Sequence, residues 1–93
     1  MIKYRRKENC EIDIDQTTGE AVIWNPDTEV AHILNRSAYC LVELCDGKTS
    51  EDITQEYSDL FPKDSVNAVT VQTDAHKMME RFLTAGIVVE YEE

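Results

Sequence analysis

The sequence predicts an α+β domain in which three short antiparallel strands precede a helix-turn-helix core of three helices. Apolar residues recur at every second position before Asn35 and at every third or fourth position after it. Turn-forming residues separate the short segments before Asn35, and Gly47 separates the first two helical segments. The length of 93 residues suits one domain with one core, so we expect a single domain over residues 1–93.

The three expected strands are short and are joined by tight turns. In the first strand, Cys10, Ile12 and Ile14 alternate with acidic residues, which predicts a half-buried strand. Three short strands in sequence with tight turns predict an antiparallel meander. The strands are expected at 10–15, 21–24 and 29–34, with turns at 17–19 and 25–27.

Each expected helix has an apolar stripe and a recognisable end. Asn35 and Thr49 are suited to cap the first two helices, and the third is expected to run from near Asn67 to Ala85, where Gly86 ends it. A short extended segment, 87–89, is expected to follow. The stripes are Ala38, Leu41, Val42 and Cys45 in the first helix, Ile53, Tyr57, Leu60 and Phe61 in the second before Pro62, and Val71, Ala75, Met78, Met79 and Phe82 in the third.

Charge is distributed unevenly along the chain. Nine Lys and Arg stand against nineteen Asp and Glu, which gives a formal net charge of −10. Four of the bases lie in a basic N-terminal segment, 1–8, and residues 90–93 form an acidic tail. Residues 8–93 therefore carry five bases and nineteen acids, a net charge of −14. A body this acidic repels phosphate, so we expect no nucleic-acid binding.

No group of residues has the spacing of a catalytic or metal site. Cys10, Cys40 and Cys45 lack a CxxC pair and a histidine at zinc-ligand spacing. We interpret them as reduced, mostly buried thiols, with a disulfide or metal site as the alternative. Neither histidine has a nucleophile beside it by spacing, and each glycine is explained by a turn or a helix end. We expect a protein that is not an enzyme and holds no cofactor and no metal.

The third helix carries two pairs of residues that admit two roles each. Met78 and Met79 suit either the core or the flexible lining of a peptide groove. Lys77 and Arg81 are one helical turn apart, so they share a face. They pair either with acids of the same helix or with an acidic group of a ligand.

Several runs of residues follow one another in a distinctive order and spacing. They are Trp24-Asn25-Pro26, Ile33-Leu34-Asn35, Leu44-Cys45-Asp46-Gly47 with Thr49 and Ile53, Asp74-Ala75, Met78-Met79, Phe82 and Gly86-Ile87-Val88. Together these runs resemble the PqqD-like family over residues 20–89. The link at 63–73 is longer than is usual in that family, and the basic start lacks the usual pattern of its first strand.

The resemblance implies a winged helix-turn-helix fold and a RiPP recognition element. Such a domain captures the leader peptide of a ribosomally synthesised, post-translationally modified peptide precursor. In the family the leader lies as an extra antiparallel strand beside the third strand and against the third helix, and the precursor is presented to a modifying enzyme, often a radical SAM maturase. By position, the implied leader-binding residues are Glu29, Val30, Ala31, His32, Ile33, Leu34, Lys77, Met78 and Arg81.

One alternative function is left open, a winged-helix DNA-binding transcriptional regulator. Such a regulator shares the helix-turn-helix core but carries bases along its recognition helix, whereas this body has clustered bases only at Lys77 and Arg81. An open strand edge also pairs readily with a second copy, so a homodimer is a further possible partner arrangement. No apolar run approaches the ~20 residues of a transmembrane helix and the start is too polar for a signal peptide, so we expect no membrane association and a cytoplasmic location.

Overall fold

Two antiparallel sheets and three helices make up the fold. The computed structural model describes residues 1–62 and 67–93. Within these ranges the sheets have the strand orders β5-β1-β6 and β2-β3-β4. The expectation of an α+β domain with antiparallel strands and three helices is confirmed. In chain order the elements are β1 (Ile2–Arg6), β2 (Glu11–Ile14), β3 (Ala21–Asn25), β4 (Val30–Leu34), α1 (Arg36–Leu44), β5 (Asp46–Lys48), α2 (Ser50–Asp59), α3 (Ala68–Ala85) and β6 (Val88–Glu92).

The expected meander forms the sheet β2-β3-β4. Its central strand turns Ala21, Ile23 and Asn25 inward, and each of these residues is only 1% exposed. The prediction of a half-buried first strand is wrong for β2, where Ile12 is 41% and Ile14 37% exposed. Because β2 is an edge strand, it has a neighbouring strand on one side only, and its apolar side chains are covered incompletely.

The sheet β5-β1-β6 joins the two ends of the chain and is not predicted by the sequence pattern. The basic segment forms the central strand β1, and β6 continues to Glu92, well beyond the expected segment 87–89. The Met1 ammonium lies 2.8 Å from the Glu92 carboxylate, and Lys3 Nζ lies 3.4 Å from that of Glu93. The basic start and the acidic tail are therefore adjacent strands of one sheet.

The first two helices begin at the capping residues that the sequence indicates. Asn35 Oδ1 accepts a hydrogen bond from the Ala38 N–H at 2.8 Å, and Thr49 Oγ1 accepts one from the Asp52 N–H at 3.3 Å. The Asn67 side chain caps α3 in the same way. The expected start of the third helix is confirmed, since a side-chain oxygen at this position satisfies N–H groups that the first turn cannot.

The helix α2 ends earlier than its apolar stripe suggests. It ends at Asp59, so Leu60 leaves the stripe and is 60% exposed. Phe61 remains partly buried, with its ring 5.1 Å from that of Tyr57 in an edge-to-face arrangement. The first part of the long link, residues 63–66, lies outside the described residues.

One apolar core lies between the helices and the inner faces of the strands. The α3 stripe contributes Val71, Ala75, Met79 and Phe82, whereas Met78 is only partly buried. Met79 is thus a core residue, and Met78 lies at the margin of the core. The other buried apolar residues are Ala21, Ile23, Tyr39, Leu41, Val42, Cys45, Ile53, Tyr57, Ile87 and Val88.

The buried Cys45 thiol is expected to make stability depend on alkaline pH. All three cysteines are free, and burial raises the pKa of Cys45 to about 12. Below about pH 8.5, the pKa of an unfolded thiol, Cys45 is protonated in both the folded and the unfolded chain and does not make stability depend on pH. Above this pH the unfolded chain releases a proton that the folded chain keeps, so the free energy of unfolding falls by about 1.4 kcal/mol per pH unit up to about pH 12.

Urea unfolding of the wild type and of Cys45→Ala between pH 8 and pH 11 measures this contribution. Near pH 8 the variant is less stable than the wild type because it leaves a cavity. Its stability should nevertheless fall less steeply above pH 9 than that of the wild type. Equal slopes in the two proteins would contradict the assignment.

Candidate functional site

The strand β4 leaves one of its edges open. On one side it pairs with β3 along its whole length, with Val30 opposite Asn25 and Leu34 opposite Ala21. Within residues 1–62 and 67–93, no strand pairs with its other side. Unpaired main-chain N–H and C=O groups at such an edge form a template for another extended chain.

The hydrogen-bond pattern identifies which β4 residues face the open edge. Where β2 and β3 meet, the Asp15 N–H donates to the Glu20 carbonyl at 2.8 Å. Hydrogen-bonded and non-hydrogen-bonded pairs alternate along antiparallel strands. The even-numbered residues of β3 therefore bond to β2, and the odd-numbered ones bond to even-numbered residues of β4. The remaining residues of β4, Ala31 and Ile33, present their N–H and C=O groups to the open edge.

A groove of about 490 Å³ runs between β4 and α3. The strand forms one wall, and Met78, Arg81 and Phe82 of the helix form the other. Phe82 is a core residue at 4% exposure, so the groove ends on the apolar core. The lining residues are Ala31, His32, Ile33, Leu34, Asn35, Ala38, Met78, Arg81, Phe82, Ala85 and Ile87.

The two bases of α3 lie in an adjoining pocket that shares His32, Arg81 and Ala85 with the groove. Neither Lys77 nor Arg81 has a carboxylate within 4.0 Å in the described chain, so the ion pairs with Asp74 or Glu80 that one interpretation allows are not formed there. Both bases are available to an acidic group that enters the groove. The pocket is lined by His32, Lys77, Glu80, Arg81, Thr84 and Ala85.

The imidazole of His32 lies where the pocket and the groove meet. Its Nε2 atom is buried and has no hydrogen-bond partner among the described residues. Buried polar atoms are usually paired, so Nε2 can bond to a polar group of a molecule held in the groove. The histidine that the sequence places on a strand is therefore half-buried beside the helix.

Asn25 fixes the end of the β3–β4 hairpin to the end of α3. Its Nδ2 donates to the Ala85 carbonyl at 3.1 Å and to the Gly86 carbonyl at 3.2 Å, and its Oδ1 accepts from the Asp27 N–H at 3.0 Å. Gly86 has a φ of 74°, and a Cβ at this position would lie 2.7 Å from Asn25 Nδ2. The strand and the helix that form the groove are thus held in one relative position.

A second link holds the same hairpin from the other side. Lys7 Nζ lies 2.6 Å from the Asp27 carboxylate, which also accepts a hydrogen bond from Asn9 Nδ2 at 3.3 Å. The bond from Lys7, followed by that from Asn9, holds the pKa of Asp27 below its usual value. The basic start of the chain therefore helps to position the hairpin turn.

Six of the nine residues predicted from the sequence line the groove, and Glu29 and Val30 lie outside both the groove and the adjoining pocket. Lys77 lies in the adjoining pocket. Glu29 lies in the turn before β4 at a φ of 58°, and Val30, at the start of the strand, does not line the groove. Sequence reasoning missed Ala38 and Phe82 as groove residues because their helical spacing assigns them to the core. The predicted residues that line the groove are Ala31, His32, Ile33, Leu34, Met78 and Arg81.

The match to a protein family covers this site. A model of the family described as "Coenzyme PQQ synthesis protein D (PqqD)" matches residues 20–88. The chain belongs to the PqqD family. The resemblance that the sequence indicates is confirmed, and the PqqD match includes both β4 and α3.

A solved structure extends the likeness of this PqqD chain to the strands before residue 20. It is "TbiB1 in Complex with the TbiA(beta) Leader Peptide", with a TM-score of 0.75 and 17% sequence identity over 96% of this chain and 99% of that chain. At this identity the likeness shows the fold of the PqqD chain and nothing more. No curated protein sequence matches the chain.

Two other findings concern the described part of the PqqD chain. It contains no group of three or more His, Cys, Asp or Glu residues that could hold a metal ion. None of its helices has the length and apolar character needed to cross a bilayer.

Proposed function

We propose that this PqqD-family domain is a RiPP recognition element that binds the leader peptide of a ribosomally synthesised, post-translationally modified peptide precursor. The observation that carries the proposal is the open edge of β4 beside the groove with α3. The solved structure with a similar fold is a complex of TbiB1 with a leader peptide. In this proposal the leader lies antiparallel to β4 as a fourth strand of the sheet.

Main-chain hydrogen bonds supply affinity in this arrangement, whatever the sequence of the leader. The N–H and C=O groups of Ala31 and Ile33 pair with those of alternate leader residues. Leader side chains that point inward contact Met78 and Phe82 in the groove, and these contacts select the sequence.

Lys77 and Arg81 select an acidic side chain of the leader. They are clustered bases in a body that is otherwise strongly acidic, and in the described chain no carboxylate neutralises them. A hydrogen bond between ionised partners is about twice as strong as a neutral one. The proposed contact set remains Glu29, Val30, Ala31, His32, Ile33, Leu34, Lys77, Met78 and Arg81.

The domain has no catalysis of its own in this proposal and presents the precursor to a modifying enzyme, for which a radical SAM maturase is our candidate. The arrangement of the sheet β2-β3-β4 on the three helices suits the winged helix-turn-helix fold of such domains. A cytoplasmic location belongs to the same proposal, because ribosomal precursors are made there. A homodimer through the β4 edge would compete with the leader for the same main-chain groups.

A DNA-binding role has no observation in its favour. The body carries a net charge of −14, and the two clustered bases of α3 lie in a small pocket beside His32 rather than on an extended basic surface.

Charge reversal at the two bases tests the proposal. We expect Lys77→Glu and Arg81→Glu each to weaken binding of an acidic leader by about 1–3 kcal/mol, because each removes a charge-assisted hydrogen bond. Calorimetric titration with the synthetic leader half of a RiPP precursor whose gene neighbours that of this chain measures the change. Lys48→Glu, in β5 and outside the groove, makes the same change in net charge and should alter affinity by less than about twofold.

Two results would contradict different parts of the proposal. If the folded wild-type domain does not bind the leader, the function is wrong. If the leader binds but Lys77→Glu and Arg81→Glu behave like Lys48→Glu, the acidic contact lies elsewhere.

A further inference from the structure

The outer face of the sheet β2-β3-β4 carries apolar side chains that the fold does not use. Side chains alternate across a strand, so the residues between the buried ones of β3 point to solvent. Val22 is 40% exposed, and opposite it on β4 Ile33 is 75% exposed. In the next row Trp24 is partly exposed and lies opposite Ala31. Adjacent exposed apolar residues of this kind mark interaction surfaces, and tryptophan is enriched where binding energy concentrates.

The same outer face is acidic along its other margin. Asp13 lies opposite Val22 and Glu11 opposite Trp24, so each cross-strand row runs from an exposed carboxylate on β2 to an apolar residue on β4. The pairing register of the three strands brings no Lys or Arg onto this face. The outer face therefore has an apolar half beside the β4 edge and an acidic half beside the β2 edge.

We propose that this outer face is the docking surface for the modifying enzyme, on a patch of that enzyme with apolar side chains bordered by Lys and Arg. The inference rests on the proposed function, because a domain that holds a leader must also meet the enzyme that modifies the precursor. The acidic half of the face favours a partner with basic residues over a second copy of this chain. A second copy would bring another acidic face and a further net charge of −10, with no base on the face to pair with the carboxylates of β2.

The outer face and the leader form one continuous surface when the leader is bound. A strand added beside β4 places alternate side chains on the outer face, next to Ala31 and Ile33. The enzyme then contacts the domain and the leader together. Because the enzyme gains contacts with the bound leader, it binds the loaded domain more tightly than the free domain. Bound enzyme strengthens leader binding by the same factor, since such coupling is reciprocal.

Replacing Val22 tests the docking surface without touching the leader site. Val22 lies on the central strand and bonds through its main chain to β2, so Val22→Glu leaves the β4 edge intact. We expect the affinity for a modifying enzyme whose gene neighbours that of the precursor to fall at least about tenfold, and leader affinity to change by less than twofold. The matched control is Val69→Glu, the same substitution at a 71% exposed position on α3, which should change neither affinity by more than twofold.

The outcomes separate this inference from the proposed function. Asp13→Lys should also weaken enzyme binding, and leader should tighten enzyme binding to the wild type.

If the leader binds while Val22→Glu and Val69→Glu bind the enzyme equally, the docking surface is wrong and the proposed function stands. A wild-type dimer in sedimentation velocity that Val22→Glu abolishes would assign the face to a second copy and overturn the inference. If the leader does not bind the wild type, both proposals fail.

Discussion

The variant Ala31→Pro is expected to weaken leader binding strongly while the domain stays folded. The Ala31 N–H faces the open edge of β4, so Ala31→Pro removes no hydrogen bond of the sheet β2-β3-β4. It does remove a donor to the leader and leaves a leader carbonyl unpaired, which costs about 1–3 kcal/mol, and the proline ring obstructs the added strand as well. We therefore expect affinity to fall by roughly 30-fold or more, as measured by calorimetric titration.

The other edge of the same sheet supplies a matched control. By the same alternation, the Ile12 N–H faces the open side of β2, and Ile12→Pro should leave leader affinity within about twofold. His32 is not a suitable position, because its main chain bonds to β3 and proline there would weaken the sheet itself. Unchanged affinity in a folded Ala31→Pro variant, confirmed by circular dichroism, would show that the leader does not use this edge.

Replacing Asn25 is expected to cause the largest loss of stability among polar substitutions near the site. Asn25 is 1% exposed and makes hydrogen bonds with Ala85, Gly86 and Asp27. In Asn25→Ala the Ala85 carbonyl and the Asp27 N–H lose the bonds that Asn25 makes to them, and the Gly86 carbonyl keeps only the 4.0 Å bond from the Cys10 thiol. Buried polar groups left unpaired cost about 1–3 kcal/mol each, and partial access of water reduces the sum, so we expect destabilisation by about 2–4 kcal/mol.

Urea unfolding measures this loss, and Asn9→Ala is its control. Asn9 is exposed and makes one side-chain hydrogen bond to Asp27, so its replacement should cost less than about 0.5 kcal/mol. Because Asn25 holds the hairpin against α3, the part of Asn25→Ala that remains folded should also bind the leader more weakly. Equal stability of the two variants would contradict the role assigned to Asn25.

The helix and the strand that form the groove could be predicted because their signals are local. The α3 stripe repeats over several turns and is bounded by Asn67 at its start and Gly86 at its end. The turn at 25–27 and the cap at Asn35 delimit β4 in the same way. Short-range features thus delimit both elements, and the family resemblance predicts that a leader lies between them.

The sheet at the chain ends could not be predicted because its pairing is long-range. Ile2 lies opposite Glu92, and β1 has only Ile2 and Tyr4 among three bases, so charge is its most evident property. The strand β5 has three residues around Gly47, which as a sequence indicates only the end of a helix. The outward main-chain direction of Ala31 likewise depends on the register with β3, which no local pattern specifies.

Amide hydrogen exchange of the free and leader-bound domain tests the central claim most directly. If the leader adds a strand to β4, the Ala31 and Ile33 amides should exchange at least about tenfold more slowly at saturating leader, because each gains a hydrogen bond. The Ile12 and Ile14 amides, at the open edge of β2, should exchange at unchanged rates and serve as controls in the same sample. Unchanged exchange at Ala31 and Ile33 in a saturated complex, or new protection at Ile12 and Ile14 instead, would contradict the account.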